Sequence, residues 1–167
     1  LSDVKKLLDA GADKVTINSG ALENPQLITD IARAYGSQCV VVSMDAKRIT
    51  DAQYEIHSNY GKTPVGKSPV DWAKMAEQYG AGELLVSSID SDGSLDGYDV
   101  ELCRLVSDAV SVPVVISSGC GNWKHVVKAF EDGGADAACL TNIYHFTETS
   151  IHSAKKFLVK KNISVRF

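Results

Sequence analysis

The sequence has no Cys-x-x-Cys pair, no two histidines four apart on a helix, and no apolar run approaching the roughly 18 residues that a membrane span requires. Its apolar runs, such as Val40 to Val42, Leu84 to Val86 and Val114 to Ile116, have the length of buried strands. Cys39, Cys103, Cys120 and Cys139 are widely spaced, which predicts small buried hydrophobes with free thiols rather than a disulfide framework. With His57, His125, His145 and His152 equally scattered, no metal site and no cofactor is expected. Charge of one sign is also lacking: 17 Lys and Arg stand against 21 Asp and Glu, a net charge of -4, and no basic patch points to nucleic acid. The first residues carry neither a signal-peptide pattern nor a lipidation motif, so a cytoplasmic protein with no membrane contact is expected.

What is present is a single soluble domain's worth of chain, 167 residues, built on a repeating grammar. A helix ends at glycine, a short apolar strand follows, and the loop after the strand leads into a capped helix. Strands are expected at Lys14 to Asn18, Cys39 to Asp45, Glu83 to Asp90, Pro113 to Ser117 and Asp136 to Thr141, apolar on both faces as in a covered parallel sheet. Helix starts are marked by Asn24 with Pro25 at the first helical position, by Ser68 with Pro69, by Asp99 and by Asn122; Gly36, Gly80 and Gly133 mark ends. The chain opens inside a helix with Val4, Leu7 and Leu8 on one face and carries no initiator Met, which suggests a beginning in mid-domain. The stretch from Arg48 to Thr63 breaks the grammar and predicts a hairpin or long loop above the sheet. Gly11-Ala12-Asp13 and Gly134-Ala135-Asp136 each open a strand that ends in small polar residues. This is either a common helix-to-strand turn or the trace of a duplicated half-barrel.

Chemistry is expected at the C-terminal strand ends. Asp45 closes a buried strand, where a carboxylate needs a hydrogen-bonding partner or a proton to handle. Asn18-Ser19-Gly20, Ser117-Ser118-Gly119-Cys120-Gly121 and Thr141-Asn142 offer backbone N–H groups at turns suited to a phosphate, although Gly119 and Gly121 also suit a plain tight turn. The acidic loop from Asp90 to Asp99 follows a strand and lacks the spacing of a calcium-binding helix-loop-helix, so a loop over the catalytic face is the better reading. At the opposite ends of the strands, Asp13, Lys14 and Glu83 are either solvated charges or, if the strands close a barrel, a place where Lys14 and Glu83 meet across its bottom.

Four stretches, Gly11-Ala-Asp13-Lys14-Val-Thr-Ile-Asn18, Val41-Val-Ser-Met-Asp45-Ala-Lys-Arg48, Gly80-Ala-Gly-Glu83-Leu-Leu-Val-Ser-Ser-Ile-Asp90-Ser-Asp92-Gly93 and Ile143-Tyr-His145-Phe146, together resemble the cyclase subunit family of imidazole glycerol phosphate synthase in histidine biosynthesis. The resemblance runs in order over nearly the whole chain. It implies an α/β, (β/α)8 TIM-barrel family fold, here as a single partial barrel domain over residues 1–167 with about five parallel strands, from the third helix to the eighth strand and helix. It implies a lyase-type reaction in which ammonia from a glutaminase subunit attacks a bis-phosphorylated ribulosyl-formimino carboxamide nucleotide. Asp45 matches one of two acid/base Asp residues; the other, on the first strand, has no counterpart here. Asn18 and Ser19 match one phosphate site, Asp92, Gly93, Gly119, Thr141 and Asn142 the other. Ser87 and Ser117 match active-site lining residues, and Asp13, Lys14 and Glu83 match the partner face and the gate for ammonia.

Ser118 and Leu140-Thr141-Asn142 depart from the family's Ser-Gly-Gly and Ala-Ala-Ser turns, and suggest a paralogue that channels ammonia for amidation of surface-polysaccharide sugars. The isomerase barrel of the neighbouring histidine-biosynthesis step is a third reading, against which the Asp45 to Arg48 run and the His145-Phe146 ending weigh. Five strands cannot close an eight-stranded barrel, so bare edges are expected to pair in a homo-oligomer or to meet a missing N-terminal piece. With one of two acid/base groups, the chain alone is expected to be inactive or nearly so.

Overall fold

Alternation between helix and apolar strand produces the expected parallel sheet. The computed structural model describes residues 1–146 and 150–167, the side chains of Asn142 and Phe146 excepted. The strands are β1 (Val15–Ile17), β2 (Val40–Thr50), β3 (Gln53–Ser58), β4 (Thr63–Pro64), β5 (Glu83–Ser88), β6 (Val114–Ser117) and β7 (Ala137–Ala138). The helices are α1 (Ser2–Asp9), α2 (Ser19–Glu23), α3 (Gln26–Tyr35), α4 (Pro69–Tyr79), α5 (Val100–Ser107), α6 (Trp123–Glu131), α7 (Asn142–Phe146) and α8 (Ile151–Val159). β1, β2, β5, β6 and β7 pair in parallel, in chain order, with helical crossovers between them. This is the α/β sheet of a partial TIM-type barrel.

β2 runs past Asp45 and does not stop there as the sequence suggested. Its first half pairs with β1 and its second half with the antiparallel β3, while β5 takes the opposite edge from Val41 to Ala46. The hairpin therefore continues the sheet above β1. Tyr54 and Ile56 bury one of its faces, which is why a stretch outside the helix-strand grammar is still ordered.

The helix-facing positions Val40, Val42, Met44, Leu84, Val86, Val114 and Ile116 are almost completely buried, together with Ile28, Ile31, Trp72, Leu102 and Val106 from the helices. The expectation of strands covered on both faces holds for the first part of β2 but not for β5 and β6, whose residues alternate between buried and half-buried. Among the described residues no further strand closes the sheet into a barrel, so the inner positions of β5 and β6 lack an opposite wall.

Local signals place most helix ends. Ser68 accepts from the Asp71 N–H, Asp99 from Leu102 and Asn122 from Lys124 and His125. Pro25 sits at the N-cap of α3 rather than inside it, because Asn24 ends the short α2, which the sequence did not suggest. Gly36 and Gly80 cap α3 and α4, whereas α6 ends at Glu131, two residues before Gly133, with Asp132 at its C-cap. Leu7 is exposed; only Val4 is fully buried on α1, with Leu8 packed at the core's margin. Cys39, Cys103 and Cys120 are buried free thiols, but Cys139 is exposed. No described helix is long and apolar enough to cross a membrane.

Candidate active site

Parallel register sets three polar side chains side by side. Asp45 on β2 pairs with Ser87 on β5, which pairs with Ser117 on β6, so one row crosses the sheet at its C-terminal end. These three line a cavity of about 350 Å³ together with Tyr60, Gly61, Ser88, Ile89, Asp92 and Ser118. A space of that size suits a small organic ligand.

Asp45 is held from the side by Asn18, whose Nδ2 donates to Asp45 Oδ2 over 3.1 Å. Burial pushes the carboxyl above its usual range; the Asn18 bond and His57 oppose this, while Asp92 adds to it. A carboxyl so placed takes up and releases protons more readily near neutrality than a surface Asp. The Asn18 Oδ1 is buried without a hydrogen-bond partner among the described residues. Buried acceptors are rarely left so, and this one is suited to a ligand's N–H or O–H.

The turn from Ser117 to Gly121 contributes a second, smaller cavity of about 70 Å³, lined by Asp92, Gly93, Ser117, Ser118, Gly119, Cys120, Cys139 and Thr141. At roughly 30 Å³ per water, it has room for a group of two or three waters' volume, the scale of an oxyanion rather than a nucleotide. No Lys or Arg lines it, so any anion held there depends on backbone N–H groups and hydroxyls. The glycines also have a packing reason: a Cβ at Gly119 would stand 2.1 Å from the Gly97 carbonyl oxygen, and one at Gly121 1.9 Å from that of Leu95. The loop before α5 thus lies directly on the turn, tied by a Gly97 N–H to Gly119 oxygen bond of 2.8 Å. Ser118 occupies φ +75°, a left-handed conformation that L-residues adopt at a cost.

Ser19 lies at the mouth of β1, where its Oγ accepts from the Asn59 N–H over 3.0 Å and ties the turn between β3 and β4 to the sheet. Thr141 lines the smaller cavity, and the side chain of Asn142 lies outside the described residues. At the other end of the strands Lys14, just before β1, and Glu83, at the start of β5, form an ion pair rather than standing as separate solvated charges, half-exposed on the Lys14 side, with Asp13 exposed beside it.

Arg48 does not face the cavity. Its guanidinium reaches Tyr54, Asp99 and Glu101 and lies 4.4 Å over the Tyr54 ring, so it braces the hairpin against the start of α5. The acidic loop is likewise divided: Asp90 accepts from the Arg48 N–H, Asp99 caps α5, and Asp92 alone among these three lines the cavities. Among the described residues no three His, Cys, Asp or Glu side chains gather as a metal site.

Two residues escaped the sequence reading. Tyr60 borders the larger cavity from a tip of three successive left-handed residues, Asn59, Tyr60 and Gly61, at φ 52°, 60° and 77°. His57 stands directly opposite Asp45 in the hairpin register. A signal for His57 was available: once the hairpin is drawn with its turn near Asp51, position 57 falls across from position 45.

The family model described as histidine biosynthesis protein matches residues 1–150. The imidazole glycerol phosphate synthase subunit HisF of Hydrogenobaculum sp. (strain Y04AAS1) is 46% identical over 166 residues, 99% of this chain. The chain spans 66% of the length of that relative.

Proposed function

We propose, from the premise that this chain belongs to the histidine biosynthesis protein family, that its 167 residues form one partial barrel domain serving as the cyclase-type portion of an imidazole glycerol phosphate synthase. The observation that carries this is the row of Asp45, Ser87 and Ser117 over one cavity, with Asn18 and Asp92 beside it. In this reading Asp45 moves protons as ammonia adds to a phosphorylated carboxamide nucleotide. Asn18 orients the carboxylate and offers its free carbonyl oxygen to the ligand. The turn at Gly119, with Gly93 and Thr141, takes one phosphate; Ser19 and Asn18 border the place of the other. Lys14 and Glu83 gate ammonia delivered by a glutaminase that docks on the face carrying Asp13.

The chain alone supplies one of the two acid/base carboxylates, and each such group contributes on the order of 10²–10⁴ in rate. Binding without appreciable turnover is therefore expected. Calorimetry with the ribulosyl-formimino nucleotide checks it: wild type binds, and Asp45→Asn binds comparably. Ammonia-dependent turnover that Asp45→Asn abolishes would show instead that the chain is a working cyclase. No binding of the nucleotide would remove the substrate assignment.

A second reading, an ammonia-conducting accessory to sugar amidation, draws on Ser118, whose side chain and left-handed backbone alter the phosphate turn. Titration with a glutaminase separates them. Stimulated glutaminase activity without nucleotide binding favours the accessory role.

A further inference from the structure

His57 is a buried titratable side chain, 8% exposed, on the hairpin strand beside Asp45. Directly opposed residues of an antiparallel pair project from the same face, with Cβ atoms roughly 4.5–5.5 Å apart. The ring is fixed from the other side, because Nδ1 lies 3.0 Å from the Gly61 carbonyl oxygen. A carbonyl only accepts, so Nδ1 carries a hydrogen and Nε2 is the nitrogen that gains or loses a proton. Protonation there leaves the Gly61 bond intact and adds a positive charge that acts on Asp45, in the direction of keeping the carboxylate ionised.

The other charges around the ring are few. Asp92 faces Asp45 from the loop after β5 and acts in the opposite sense. Lys47 and Glu55 oppose each other two residues further along the hairpin. β4 presents Pro64 opposite His57. On α4, Asp71 is held by Ser68, Glu77 by Ser111, and Lys74 is exposed. Lys62, after the tip, is exposed as well.

We infer that His57 is a positioning residue for Asp45: its imidazolium keeps the carboxylate charged, its neutral form releases Asp45 to take up a proton, and the two together form a proton-handling pair within one hairpin. The pair also connects Asp45 to the turn between β3 and β4, since the carbonyl that orients His57 belongs to Gly61, which lines the cavity beside Tyr60. One proton then has two neighbouring seats, a carboxylate and an imidazole. The catalytic meaning rests on Asp45 acting on a ligand, but the coupling belongs to the free protein and is measured there.

The test is an NMR titration of the full chain, following the Asp45 carboxyl carbon and the His57 ring. In wild type the Asp45 resonance is expected to show a second inflection at the His57 midpoint. Asp45→Asn should make His57 at least threefold more acidic, and His57→Gln should make Asp45 less acidic by the same factor, because coupling between two sites is reciprocal. Midpoints that each move less than about twofold, with no shared inflection in wild type, overturn the inference. If His57→Gln fails to fold, the wild-type inflection and the Asp45→Asn arm decide. Coupling without nucleotide binding would sink the proposed function and leave this pair standing; binding without coupling would do the reverse.

Discussion

Asn18 reaches from the end of β1 to hold Asp45 on β2, one amide N–H donating to one carboxylate oxygen across adjacent parallel strands. That bond favours the ionised carboxylate, while burial, the larger effect, favours the protonated one. Asn18→Ala is expected to raise the Asp45 midpoint further, read from the carboxyl carbon shift against pH.

Because the folded-state value of Asp45 lies above its ordinary 3.8, the folded protein binds more protons than the unfolded one between those two values. The contribution of Asp45 to stability is thus greatest at or below the ordinary value and is lost as pH rises through the folded one. Asp45→Asn is expected to raise the melting temperature at pH 7, by an amount that shrinks as pH falls toward 4. An unchanged or lowered melting temperature at pH 7 would contradict the burial argument.

Ser118 pays for its left-handed backbone, and Ser118→Gly should recover about 1 kcal/mol in urea unfolding, the usual cost of such a conformation less the added freedom of glycine in the unfolded chain. The same variant should bind inorganic phosphate at least as well as wild type.

Gly121→Ala places a methyl group against the Leu95 backbone, not against a yielding side chain. A loss of about 3 kcal/mol is expected, at the upper end of ordinary overpacking, since two backbone segments must separate. Thermal denaturation checks it, with Gly20→Ala as a control: its Cβ would meet only Leu27 Cδ2, at 3.6 Å.

Lys14→Met should change stability by less than about 1 kcal/mol, because the Lys14 side chain of its pair with Glu83 is 49% exposed and such pairs are weakly stabilising. Any larger effect on glutaminase-driven ammonia use than on stability would support a gating role.

The outer edges of β1 and β7 carry no partner strand among the described residues, and the inner faces of β5 and β6 are half-buried. Light scattering on the purified chain is expected to give a dimer or larger assembly. A stable monomer at micromolar concentration would count against pairing of these edges.

The parallel sheet was legible because apolar runs of strand length alternate with capped helices, and Ser68, Asp99 and Asn122 announce their helices through side chains that bond the first N–H groups. Asp45, Ser87 and Ser117 were legible as strand-end residues, but their alignment in one row depends on register, which no local signal carries. The continuation of β2 into the hairpin was hidden for the same reason: Asp45 to Thr50 has the polarity of a loop, and only pairing with β3 makes it a strand. Gly119 and Gly121 suggest a ligand-binding turn from the sequence alone; the second demand on them, a loop some 25 residues away that leaves no room for a side chain, depends on the fold. Cys139 departs from the expectation that all four cysteines are buried. It is exposed because β7 is a two-residue strand at an edge.

β2 pairs with three strands, β1, β3 and β5, and so joins the hairpin to the parallel sheet through one continuous backbone. Its amides between Val41 and Ala46 should be the last to exchange with solvent. A chain break at the turn from Asn59 to Gly61 would leave every one of these ladders intact, whereas a break inside β2 would cut the one strand that all three ladders share. A split at that turn would keep the sheet but free the Gly61 carbonyl that orients His57, together with the Tyr60 side of the cavity.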